Sequence, residues 1–242
     1  MYGKNALKEA LLSAPHTIKK VHLSPEIKDA ELSSLLSKHK IPTAPLKHGE
    51  ADAVVGSDKT HQGVIAIVDT EALVTPYGTF VSSLSVTDDV SLAVLGEVQD
   101  PHNVGAIIRS AAAFGLSGVL IPEHNQAQVT GTVIKTSAGM AFRVPLVSIG
   151  NVNETLRDLK KRGFWVYGLN MEGATNLSEE GFEKASVFVF GNEGEGLREK
   201  TLEECDVTLS IPMHPRCESL NVSVSAGIVF STWSKKHPRA LS

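Results

Sequence analysis

The sequence predicts an α/β protein: a mostly parallel sheet with helices on both faces, preceded by a small α/β unit. Two observations carry this. From residue 90 onward, apolar runs of strand length alternate with stretches of helical spacing, the order that builds βαβ units. Before that, residues 2–70 hold a shorter mixed set of elements, separated from the rest by residues 71–89, where Thr75, Pro76, Tyr77, Gly78 and three serines break any period. A chain of 242 residues has ample length for a core.

In the first unit, Asn5 is placed to cap a helix with Leu7, Ala10 and Leu11 on one face. Residues 18–23 alternate like a strand, and residues 26–40 carry Ile27, Ala30, Leu32, Leu35 and Leu36 at helical spacing. A short helix is expected at 51–55, and GVIAIV at 63–68 reads as a buried strand. The spacing puts one domain at 1–70, a linker at 71–89 and a second domain at 90–242. In the second domain, strands are expected at 91–98, 118–121, 144–147, 164–169, 186–190 and 207–211. Helices are expected at 104–114, 131–137, 152–162, 196–205 and 221–235. In such a sheet, ligands sit at the C-terminal ends of the strands.

Composition narrows the function. Apolar residues make up 42% of the chain. The longest apolar runs, such as 111–121, are interrupted by Gly and Ser and are too short for a membrane span. No basic start with an apolar middle follows Met1, and Cys205 and Cys217 form no CxxC, so a reducing cytoplasm is the expected location. The net charge of −4 argues against a non-specific grip on nucleic acid. Residues 1–70 hold 9 Lys, 8 acidic residues and five of the nine histidines, while the remainder carries 14 basic and 19 acidic residues. Any nucleic-acid contact must therefore be local and shaped.

Three loops concentrate polar residues where a strand gives way to a helix. In GEVQDPHNVGAIIR, residues 96–109, Asn103 is placed to cap the helix and Pro101 to make the turn before it. Arg109, six positions on, reads either as a solvated charge or as a fork for a phosphate or an acid. FGNEGEGLR, residues 190–198, is Gly-rich at a helix start, but Glu193 and Glu195 would repel a pyrophosphate and the glycine spacing is not that of a dinucleotide site. It suits a neutral or cationic ligand, or is a turn whose acids favour the helix dipole. LSIPMHPRCESLNVSVSAGIVF, residues 209–230, breaks at Pro212 and Pro215 and places Arg216, Cys217, Glu218, Ser219 and Asn221 before an apolar helix that Asn221 could cap. His214 and Cys217 lack the second pair a zinc site needs, so no metal is expected.

Together, EVQDPHNVGAIIRSAAAFG, VFGNEGEGL and IPMHPRCESLNVSVSAG resemble, in order and spacing, the motifs of the SpoU/TrmH family of RNA ribose 2′-O-methyltransferases, part of the SPOUT superfamily. YGKNALKEAL and THQGVIAIV, in the first 70 residues, resemble the small L30e-like substrate-binding domain many members carry. The resemblance implies an α/β-knot fold with a deep C-terminal trefoil knot, S-adenosylmethionine as methyl donor, structured RNA as substrate and an antiparallel homodimer. It marks Gly191, Ile211 and Leu220 as donor-binding residues and Asn103, Arg109, Glu193, Ser219 and Asn221 as the catalytic set. The HPRC run, residues 214–217, departs from the Gly- and Ser-rich family pattern.

In the family scheme the Arg109 equivalent acts from the partner subunit as general base. A guanidinium almost never loses its proton, and clamping a phosphate while stabilising the developing alkoxide meets the same need. The extra N-terminal domain points to ribosomal RNA, with a large-subunit guanosine as first guess. The alternatives are transfer RNA, or a non-catalytic RNA-binding or assembly protein on the same scaffold. A Rossmann nucleotide enzyme is disfavoured by the glycine spacing and the acidic loop.

Overall fold

The computed structural model describes residues 1–46, 62–170 and 175–242; the short helix expected at 51–55 lies outside the described residues. The N-terminal unit is a three-stranded sheet of β1 (Ile18–Leu23), β2 (Thr43–Pro45) and β3 (Val64–Val68), with β1 central, parallel to β2 and antiparallel to β3. Helices α1 (Lys4–Ser13) and α2 (Ala30–Lys38) bury Leu7, Leu11, Leu32 and Leu36 against it. Asp29 caps α2, accepting from the Leu32 N–H at 3.0 Å. The cap of α1 is Gly3 rather than Asn5, because the entry needs φ = +99°, a conformation that glycine adopts freely.

Residues 71–89, expected as a linker, are built into the second sheet. They form a 3-10 turn (Glu71–Leu73), edge strand β4 (Val74–Pro76) and helix α3 (Tyr77–Ser83). Pro76 is tolerated because β4 is an edge strand. Phe80 and Val81 of α3 are buried under the sheet.

The large sheet runs β4-β7-β6-β5-β10-β8-β11-β9 with every pairing parallel. Its strands are β5 (Ser91–Leu95), β6 (Gly118–Pro122), β7 (Leu146–Ile149), β8 (Trp165–Leu169), β9 (Thr175–Asn176), β10 (Ser186–Phe190) and β11 (Val207–Ser210). β5, β6 and β10 are buried at every position, which is why SLAVL, GVLIP and SVFVF read as continuous apolar runs rather than alternating ones. The helices are α4 (Pro101–Ala113), α5 (Gly131–Thr136), α6 (Val152–Lys161), α7 (Glu199–Leu202) and α8 (Val222–Lys236). The apolar residues of α4, α5 and α8 join one core layer with Ala93, Leu95 and Val119, and those of α3 and α6 join another with Leu92, Val94 and Leu120. No helix among the described residues is long and apolar enough to cross a membrane.

The first layer also contains Leu7 and Leu11, so the N-terminal unit shares a core with the large sheet. The contact is α1 against the turn at Met140–Phe142. Gly139 permits it: a Cβ there would lie 3.0 Å from the Glu9 Cβ, and its φ is +85°. Glu9 pairs with Arg143 across the same contact.

The last helix is fixed at both ends. Asn221 caps its start. At its finish the His237 ring stacks on Trp233, centroids 4.7 Å apart, with Nδ1 3.0 Å from Asp89 Oδ1 and Nε2 2.9 Å from the Phe182 carbonyl oxygen. From β11 the chain thus returns across three strand positions to pack α8 on α4.

Candidate active site

The three polar loops meet beyond the C-terminal ends of β5, β10 and β11. In the first, the helix cap is Asp100 rather than Asn103: its carboxylate accepts the His102 N–H at 2.8 Å, and Pro101 occupies the first helical position, where its missing N–H costs nothing. Asn103 lies one turn in and is buried. It is freed from capping to point between the other two loops.

What it meets there is a directed relay. Asn221 Oδ1 accepts from the N–H of Ser223 at 2.9 Å and from the Ser223 hydroxyl at 2.6 Å, so its amide nitrogen is left to donate, and it reaches Asn103 Oδ1 at 3.0 Å. Asn103 Nδ2 then donates to Glu193 Oε1 at 3.0 Å. A carboxylate only accepts, and Asn221's oxygen is committed to the helix, so both amide orientations follow from the network. Glu193 also accepts from the N–H groups of Asp100 at 3.2 Å and Gln99 at 3.3 Å. Burial alone would raise its pKa. The Asn103 amide and the backbone N–H groups outweigh burial and hold the carboxyl below the usual range, so it is charged at neutral pH and is a poor base.

The loop carrying Glu193 is held by its own backbone. Asn192 and Gly196 exchange two N–H···O bonds of 2.9 and 3.0 Å. Asn192 Oδ1 accepts from Gly194 N at 2.9 Å, and its Nδ2 donates to the Glu97 carbonyl at 3.1 Å. Gly191 makes this folding possible, since a Cβ there would lie 2.1 Å from the Gly196 carbonyl carbon. The helix expected at 196–205 shrinks to α7 because residues before it are spent on this loop and on an Arg198–Glu97 ion pair at 2.6 Å.

Between the second and third loops lies a cleft of about 390 Å³, within the range of about 300–1,000 Å³ typical of small-molecule sites. Gly191, Ile211, Leu220, Glu193 and Ser219 all line it. Phe190, Leu209, Leu169 and Met213 add apolar walls, and Glu195 and Glu218 add acidic groups. The sequence singles out Glu218 among the polar residues of the third loop without assigning it to the site, and Leu169, Phe190 and Leu209 escaped the sequence reading of it, although lying at strand ends was itself a usable signal. Such a cleft suits a ligand with a flat apolar part and a cationic centre.

Arg109 does not join this group. It is exposed on α4, about 9 Å along the helix axis from Asn103 at 1.5 Å per residue, and it is not among the residues lining the cleft. The helix packed on α4, α8, carries an exposed apolar pair: Val224 and Ile228 are 49% and 36% exposed, and Gly227 between them would place a Cβ 3.6 Å from Ser110 Oγ, next in sequence to Arg109.

The relay gives Asn221 two separable duties. Asn221→Ala is expected to lose the cap, about 1 kcal/mol of stability, and turnover with it. Asn221→Asp keeps the cap but cannot donate to Asn103. Thermal unfolding of the Asp variant should stay near that of the unaltered protein while its turnover falls; equal turnover would mean the Asn221–Asn103 bond is not used.

Residues 91–231 match the SpoU rRNA Methylase family and residues 1–73 match the family described as RNA 2′-O ribose methyltransferase substrate binding. The 23S rRNA (guanosine-2′-O-)-methyltransferase RlmB of Neisseria meningitidis is 34% identical over 96% of this chain and 92% of its own length. A Staphylococcus saprophyticus protein named for the TrmH family of tRNA/rRNA methyltransferases is 33% identical over 94% of this chain and 91% of its own. The crystal structure of the SpoU methyltransferase AviRb from Streptomyces viridochromogenes in complex with AdoMet superposes with a TM-score of 0.84 at 20% identity, covering 98% of this chain and 89% of that one.

Proposed function

Because the chain belongs to the SpoU rRNA methylase family and is an RNA 2′-O-methyltransferase using S-adenosylmethionine, we propose that it methylates a guanosine ribose in large-subunit ribosomal RNA. The observation that carries the reading is the directed Asn221–Asn103–Glu193 relay beside a cleft containing Gly191, Ile211 and Leu220. The near full-length relative named for that reaction supports the choice of RNA.

The residues fit the donor. Gly191 lets the loop backbone come close, Ile211, Leu220 and Phe190 offer apolar walls for the adenine, and Glu193, Glu195 and Glu218 suit a positive sulfur. When bound, S-adenosylmethionine supplies a methyl group on a sulfonium that an in-line nucleophile can displace. The chain's task is alignment and charge. Glu193, kept ionised, anchors Asn103 and offsets positive charge in the cleft. Ser219, whose hydroxyl both donates and accepts, faces the same space.

Arg109 is assigned to a second copy's active site. In a homodimer that covers Val224 and Ile228, the neighbouring Arg109 would be carried to the interface. There its fork holds the target phosphate and stabilises the developing alkoxide, the proton leaving to solvent. The C-terminal return onto α4 is the path a trefoil-knotted segment would take. Residues 1–70 serve as the RNA-binding domain, residues 90–242 together with β4 and α3 as the methyltransferase domain, and the cytoplasm as the location. The test is transfer of labelled methyl from S-adenosylmethionine to separated RNA pools. Label in ribosomal RNA is the expected result; label confined to transfer RNA would keep the chemistry and overturn the substrate, and none in any pool would favour a non-catalytic role.

A further inference from the structure

The segment between β5 and α4 has to hold two N–H groups aimed at Glu193, and its backbone is fastened at every step. Gly96 N donates to the Phe190 carbonyl at 2.6 Å, the Glu97 carbonyl accepts from Asn192, and the N–H groups of Gln99 and Asp100 reach the Glu193 carboxylate. Glu97 has φ = +70°, a left-handed conformation that a non-glycine residue holds only when its surroundings enforce it.

Val98, between these fastenings, is fully buried, so its N–H and carbonyl must find partners inside the protein. They find both on one side chain. Gln126 Oε1 accepts the Val98 N–H at 2.8 Å and Gln126 Nε2 donates to the Val98 carbonyl at 2.6 Å. Ala127 N donates to the same carbonyl at 3.1 Å. Gln126 is 9% exposed and stands in the loop after β6, outside all three site loops and the cleft lining.

We infer that Gln126 is a positioning residue for the Glu193 carboxylate: by closing a two-bond amide clamp on Val98 it fixes the direction of the Gln99 and Asp100 N–H groups, and through Glu193 it sets the Asn103 amide. This rests on the reading of Glu193 as part of the active site. A clamp of two bonds fixes orientation as well as place, which one hydrogen bond would not. Gln126 does not itself line the donor cleft and reaches it only through Glu193, so its loss should weigh more on turnover than on donor affinity.

The test is a double-mutant cycle on the full-length protein. Gln126→Met keeps the side-chain length without either amide group; Gln126→Glu keeps the acceptor for Val98 N but loses the donor to its carbonyl, and serves if the Met variant folds poorly. Each is made alone and with Glu193→Ala. Methyl transfer to RNA is measured under single turnover well below each variant's unfolding midpoint, per site able to bind S-adenosylmethionine. Gln126→Met alone is expected to lower the rate roughly tenfold, within the range that coupled neighbours show, with a smaller loss of donor affinity. In the Glu193→Ala background the same change should have almost no further effect. Independent, multiplying losses would mean that Gln126 only stabilises the fold and would overturn the inference, as would an unchanged rate in Gln126→Met. Full activity of Glu193→Ala would instead remove the reading of Glu193 itself, and the inference with it.

Discussion

Arg109→Ala is expected to lower turnover by about 100- to 1,000-fold, the loss typical when a preorganised donor to developing charge is removed, while S-adenosylmethionine affinity stays nearly unchanged. The structure gives the reason for the split: Arg109 is exposed on α4 and stands apart from the cleft lined by Gly191, Ile211 and Leu220. Arg109→Lys should fail as well, because a point charge cannot replace a planar fork on a phosphate. Titration calorimetry with the donor and single-turnover transfer to RNA check the two halves separately. An equal loss of donor affinity would make Arg109 a binding or folding residue.

Gly191→Ala carries the opposite signature. Its new methyl would lie 2.1 Å from the Gly196 carbonyl carbon, 2.2 Å from the carbonyl oxygen and 2.4 Å from Leu197 N. These are backbone atoms, so no side chain can swing aside, and the 190–198 loop itself must move. Donor affinity is expected to fall by at least about 100-fold, a loss of about 2.7 kcal/mol or more, with a smaller drop in melting temperature because the central strands are unaffected. Gly150→Ala is the control: nothing lies within 4 Å of its added Cβ. Calorimetry that finds the donor still bound tightly by Gly191→Ala would place the donor elsewhere.

Much of the fold was legible because the central strands are buried on both faces. SVFVF and SLAVL leave no polar alternation to misread, and the 186–190 strand was placed to the residue. What escaped was short or set by distant contacts. β2, β4 and β9 have three, three and two residues, and two of them contain proline; their strand character comes from a neighbour's free edge, not from their own pattern. The caps show the same limit. Asn103 looked like a helix start, but Asp100 and Pro101 before it formed a better one, and only the fold reveals that Asn103 is then available to Glu193, 90 residues away.

In the site, the motifs brought Asn103, Glu193, Ser219 and Asn221 to one region, because each lies between the end of a parallel strand and the first turn of the helix that follows it. Gln126 gave no sign in the sequence. A glutamine in a surface-like loop becomes a clamp only when burial leaves a valine backbone without water. Arg109 was legible as a residue but not as a place, since a single chain leaves it facing solvent.

The measurement that bears most directly on the function is nucleoside analysis of ribosomal RNA after incubation with the protein and labelled S-adenosylmethionine. The label is expected in 2′-O-methylguanosine at one position, in a linkage that resists alkaline cleavage because the 2′-oxygen is blocked, and absent when Arg109→Ala is used. Label on a base nitrogen or carbon, leaving the backbone open to alkali, would contradict ribose methylation by this site.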